Sequence, residues 1–75
     1  MKELSIRIDS INDVKKFVNI VSRYEYDVDI VSGRYAIDAK SIMGLFSIDL
    51  SKSVTMKIHS NDCDDLLAEV KQFAV

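Results

Sequence analysis

Residues 35–50 read YAIDAKSIMGLFSIDL, and this stretch places a strand, a capped turn and an apolar surface side by side. Tyr35, Ile37 and Ala39 alternate with Ala36 and Asp38, the period of a strand with one buried face. Ser41 then suits the N-cap of a short helix, because its hydroxyl can accept from a free amide of the first turn. Gly44 is expected to end that helix, since glycine takes the left-handed conformation at a C-terminus without strain. Ile42, Met43, Leu45, Phe46 and Ile48 are more apolar residues than one side of a short helix can bury. Two readings stand. Met43 and Phe46 remain exposed as a docking patch over a core of Ile42, Leu45 and Ile48, or the whole segment is core that caps the sheet edge.

Outward from this stretch, the remaining periods are equally regular. Leu4, Ile6 and Ile8 alternate with polar residues and form a first strand; from Ser10 the spacing changes to Ile11, Val14, Phe17, Val18 and Val21, an amphipathic helix. Ser10 is its N-cap and Asp13 an acid in its first turn. Tyr26, Val28 and Ile30 alternate as a second strand, and Ser32-Gly33 supplies the turn of a hairpin into Tyr35. Val54, Met56 and Ile58 make a fourth strand. Cys63, Leu66, Leu67, Val70 and Phe73 or Ala74 lie on one stripe of a last helix whose start is crowded by Asp62, Asp64 and Asp65. The order is βαββαβα. Strands with one polar face and helices with one apolar stripe are all satisfied by a four-stranded antiparallel sheet covered on one face, an open-faced two-layer α/β (α+β) sandwich.

Seventy-five residues make one domain, residues 1–75, with a modest core. The 10 Lys+Arg against 12 Asp+Glu are scattered without a run, which argues against nucleic acid and against an anionic membrane surface as partners. The single cysteine, Cys63, excludes an internal disulfide and fits a reducing, cytoplasmic setting. The alternating N-terminus is unlike a signal peptide, and no apolar run is long enough to span a bilayer. His59, Asp62 and Cys63 are near in sequence but bridge a strand end and a helix start, so no metal site or cofactor is expected; Cys63 reads as a small buried hydrophobe and His59 as a surface residue. Asp27, Asp29 and Lys57 are expected to pair across strands on the solvated face.

The element order and the run Lys40-Ser41-Ile42-Met43-Gly44 resemble the HPr family, the histidine-containing phosphocarriers of the bacterial sugar phosphotransferase system. The match is specific from about Asp38 to Ile48 and looser elsewhere. The resemblance implies the same sandwich fold, no enzymatic activity, and protein partners in the phosphotransferase or carbon-regulation system. It makes Ser41 the candidate for regulatory phosphorylation, against the plainer reading of a helix cap, and Lys40, Met43 and Phe46 the partner-binding positions. It also exposes a gap. Ser10 stands where the family has its phosphoryl-accepting histidine, Asn12 where it has arginine and Asp13 where it has proline.

Those replacements remove each chemical part. A neutral imidazole is nucleophilic near neutral pH, whereas a serine hydroxyl needs an adjacent base, and Ser10 has none in sequence. Asn12 cannot supply the bidentate charge of an arginine. Asp13 is expected to occupy first-turn amides and to repel an anion there. His59 lies by strand order at the far end of the sheet from Ser10, so it cannot take over. The expected function is a regulatory protein-binding module that has lost phosphocarrier chemistry. The alternatives are a residual carrier using another residue and a vestigial structural paralogue.

Overall fold

The computed structural model describes all residues from Met1 to Val75. Its elements are β1 (Lys2–Ile6), α1 (Ile11–Ser22), β2 (Val28–Ser32), β3 (Tyr35–Asp38), α2 (Ile42–Phe46), β4 (Val54–Ile58) and α3 (Asp64–Val70), followed by a 3₁₀ turn over Lys71–Phe73. The strands form one antiparallel sheet in the order β1-β4-β2-β3. β4 therefore inserts between β1 and β2, and its register brings Ile6 opposite Val54 and Ile30 opposite Met56. Because side chains alternate across a strand, Ile6, Ile30, Met56 and Ile58 fall on one face, and each is fully buried.

That face is covered by the helices. α1 contributes Val14, Phe17, Ile20 and Val21, α2 contributes Leu45, and α3 contributes Leu66 and Val70. Phe17 meets Phe73 edge to face, with centroids 5.7 Å apart and planes at 80°, which ties α1 to the 3₁₀ turn at the C-terminal end. No buried side-chain nitrogen or oxygen lacks a hydrogen-bond partner.

Several expectations change at the element ends. Ile11, assigned to the stripe of α1, is 62% exposed, and the stripe is completed by Ile20. The reason is position: Ile11 is the first helical residue, and the i, i+3, i+7 row through Val14, Phe17 and Val21 is the one that lies on the sheet. β2 begins at Val28, where its ladder with β4 starts, not at Tyr26, whose hydroxyl donates to Asp65 Oδ1 at 2.9 Å and whose ring stacks on Tyr24 with centroids 5.9 Å apart. The hairpin turn is Gly33-Arg34, one residue later than expected; Ser32 pairs with Tyr35, and Gly33 alone has positive φ, at 58°. Glycine first with a negative φ after it is the arrangement of a type II′ hairpin turn.

Gly44 does not end α2. It lies within the helix at negative φ, and the helix stops at Ser47, whose amide and hydroxyl both donate to the Gly44 carbonyl, at 3.0 and 2.6 Å. The glycine is needed for a different reason: a Cβ built there falls 2.5 Å from Ile37 Cγ2. Close approach of α2 to β3, not a left-handed turn, requires it.

The open face of the sheet also differs from expectation. Asp29 stands opposite Lys57 in register, yet its carboxylate engages His59 Nε2 at 2.8 Å and no ion pair to Lys57 forms. Asp29 also stands opposite Asp38 on β3, and its carboxylate is hydrogen-bonded to His59, where a cross-strand pair with Lys57 was expected. Cys63 is fully buried, and burial pushes its thiol pKa up, as fits a core residue.

Candidate functional site

Ser10 and Ser41 each open a helix in extended backbone, at φ −126°, ψ 157° and φ −95°, ψ 101°. Ser10 Oγ accepts from the Asp13 amide at 3.1 Å, and Ser41 Oγ accepts from the Gly44 amide at 3.2 Å. Each satisfies one of the donors that a helix start leaves free. Both serines are exposed.

Around Ser10 the polar groups serve the helix cap and local pairs. The amide of Asp13 is occupied by the serine hydroxyl itself, where the carboxylate of Asp13 was expected to interfere. The carboxylate still adds a negative charge to the first turn of α1. Asn12 is exposed and uncharged. The nearest arginine in sequence, Arg7, is engaged: it pairs with Asp9 at 3.7 Å and donates to the Ser51 carbonyl at 3.0 Å. His59 follows the Ile58 end of β4, opposite Lys2, whereas Ser10 follows the Ile6 end of β1. The only histidine is thus a sheet length from the helix that would need it.

Around Ser41 the geometry is more constrained. Its amide donates to the Asp38 carbonyl at 2.9 Å, and its carbonyl accepts from Leu45 at 3.1 Å. The Lys40 amide donates to Asp38 Oδ1 at 2.9 Å, while the Lys40 ammonium reaches back to the Tyr24 carbonyl at 2.8 Å. Lys40 therefore ties α2 to the segment after α1, a role the sequence did not reveal. Leu45 anchors the helix in the core and Ile42 and Ile48 are half-buried, as expected. Met43 is 79% and Phe46 46% exposed, so the two face solvent. Ile11, on the neighbouring helix, and Tyr35, expected on the buried face of β3 but 68% exposed at its start, are exposed residues that sequence reasoning missed. For Ile11, its place at the first helical position, ahead of the buried row, was the available signal.

The fold and the two caps define an open-faced sandwich in which a serine opens both α1 and α2. The family model described as the HPr component phosphorylation site of the phosphotransferase system matches residues 12–74, so the chain belongs to the HPr family. The match begins two residues beyond Ser10. No curated protein sequence matches the chain. Among solved structures it is similar to the HPr-C-His of Thermoanaerobacter tengcongensis, with a TM-score of 0.81 at 23% identity over 96% of this chain and 89% of that one. It is similar to the phosphocarrier HPr of Bacillus anthracis, with a TM-score of 0.73 at 21% identity over 99% of this chain and 94% of that one. The Bacillus subtilis catabolite repression containing protein Crh, described as a domain-swapped dimer, gives 0.67 at 24% identity over 93% and 87%. At these identities the likeness is one of fold. HPr proteins are carriers, not catalysts, and no helix of this chain is long and apolar enough to cross a membrane.

Proposed function

We propose that the protein is a cytoplasmic regulatory member of the HPr family that docks protein partners of the phosphotransferase or carbon-regulation system and carries no phosphate on histidine. The observation that supports this most is the contrast on one molecule. The Lys40–Gly44 run forms an exposed serine cap beside exposed Met43 and Phe46, while Ser10, Asn12 and Asp13 offer neither an imidazole nor a cation. Ser41 is the position for regulatory phosphate. Its hydroxyl is solvent-accessible, and a dianion at a helix start is favoured by free amides and by the dipole. Lys40 contributes by holding α2 in place, and Met43 and Phe46 are the surface that a partner covers. Phosphate beside them would weaken partners that desolvate the serine and favour partners that offer arginine.

Two experiments test the reading. Incubation with phosphoenolpyruvate and Enzyme I leaves the intact mass unchanged, and an acid-labile phosphoryl adduct would overturn the loss of carrier chemistry. Treatment with ATP and a kinase active on an ordinary HPr labels the wild type and not Ser41→Ala, and Phe46→Ala weakens binding to candidate regulators. An unlabelled wild type, together with unchanged binding by Phe46→Ala, would leave a vestigial structural role.

A further inference from the structure

A hollow of about 580 Å³ lies between the Gly33-Arg34 turn and the segment joining α2 to β4. It is separate from Ser10, Ser41 and the exposed apolar residues of the helices. Arg34 and Lys52 both line it, both are exposed, and neither is in any of the three ion pairs of the molecule. Its one carboxylate, Asp49, already accepts from the Ser51 amide at 3.0 Å and from the Ser51 hydroxyl. Two cations against one carboxylate leave the hollow with one net positive charge, in a chain whose net charge is −2. Ser32, Ser53 and Thr55 also border the hollow, and none of their hydroxyls hydrogen-bonds within the protein.

Two cations outside every short ion pair, beside one carboxylate that is already hydrogen-bonded, match an anion with several oxygens. A guanidinium fork and an ammonium fit the oxygens of a phosphate group, whose charge approaches two at neutral pH, better than the single charge of a carboxylate. Tyr35, 68% exposed on the wall of the hollow, offers a flat apolar surface to whatever the phosphate is attached to. We propose that this hollow binds a small phosphate monoester, with Arg34 and Lys52 holding its phosphoryl oxygens.

The test is a titration followed by amide chemical shifts, using inorganic phosphate, glycerol 3-phosphate and uncharged glycerol as probes. The two phosphates are expected to give saturable shifts at Gly33, Arg34, Ser53 and Thr55, tighter for the ester, and glycerol none. Arg34→Ala and Lys52→Ala, at exposed positions that leave the core intact, are each expected to weaken binding about fivefold, the scale of one solvent-exposed charged contact. Ser41→Ala leaves this binding unchanged, so its outcome is independent of the proposed regulatory role. No saturable shift, shifts centred on the amides of Ile11 to Asp13 or of Ile42 to Gly44, equal effects from glycerol, or unchanged binding in the double Arg34→Ala/Lys52→Ala variant would overturn the assignment.

Discussion

At the start of α1 the Ser10 hydroxyl takes the amide three residues on, and at the start of α2 the Ser41 hydroxyl does the same, at nearly equal distances. What lies around each cap differs. α1 runs 12 residues over a row of buried side chains and carries Asp13 in its first turn; α2 runs five, buries only Leu45 fully, and has no acid in its first turn. A cap fixes where a helix begins; its neighbours decide whether that beginning can receive an anion or a partner. The long helix is built for stability, and the short one presents two apolar side chains to solvent at little cost in core.

The largest way to sharpen the contrast is to cut beneath α1. Phe17 is fully buried against Phe73, so Phe17→Ala is expected to cost about 3–5 kcal/mol in a denaturant titration, much of the stability of so small a domain. Met43→Ala, on the exposed face of α2, is expected to leave the midpoint almost unchanged. Equal effects at the two positions would break the division of labour between the helices.

Gly44→Ala tests why α2 is short and tightly seated. Within an exposed helix, replacing glycine by alanine stabilises by about 1 kcal/mol. Here the new methyl meets Ile37, and a net loss of about 1–3 kcal/mol is expected from overpacking. A gain in stability would show that α2 moves freely away from β3.

The caps themselves should look alike in stability and unlike in chemistry. Ser10→Ala and Ser41→Ala are each expected to cost about 1 kcal/mol in thermal or denaturant unfolding. Only Ser41→Ala abolishes labelling by an HPr-type kinase, and labelling retained in that variant but lost in Ser10→Ala would invert the comparison.

The smallest effect concerns the join between the C-terminal end of α1 and α3. Tyr26 donates to Asp65, and that hydrogen bond, with partial desolvation and the nearby carboxylate charge, pushes its pKa from the ordinary 10.0 up to about 12. Tyr24, donating to Glu69, is raised for the same reason. A folded pKa above the unfolded one means the folded protein holds the proton more tightly. The contribution is therefore fully present below about pH 10 and is lost as pH rises through about 12. Ultraviolet titration of tyrosinate should show a late step that shrinks in Tyr26→Phe, leaving the share of Tyr24, and a titration curve whose late step is undiminished by that substitution would remove the link.

Much of this was legible in the chain. The periods of Leu4-Ile6, Val28-Ile30, Ile37-Ala39 and Val54-Met56-Ile58, and the helical spacing of Val14, Phe17 and Val21, set the element order and the buried face, because burial of one face is the strongest constraint on each element. The serine caps were legible too, since capping is a local interaction within four residues. Tertiary structure alone decided the rest. It set Lys40 on the Tyr24 carbonyl, Asp29 on His59 in place of Lys57, and Gly44 against Ile37, and it left Ile11 in solvent. It also brought Arg34 and Lys52 to one hollow. Each of those depends on how far one element stands from another and where a long side chain ends. Sequence period fixes the direction in which a side chain leaves the backbone; only the packed arrangement of sheet and helices fixes what it meets.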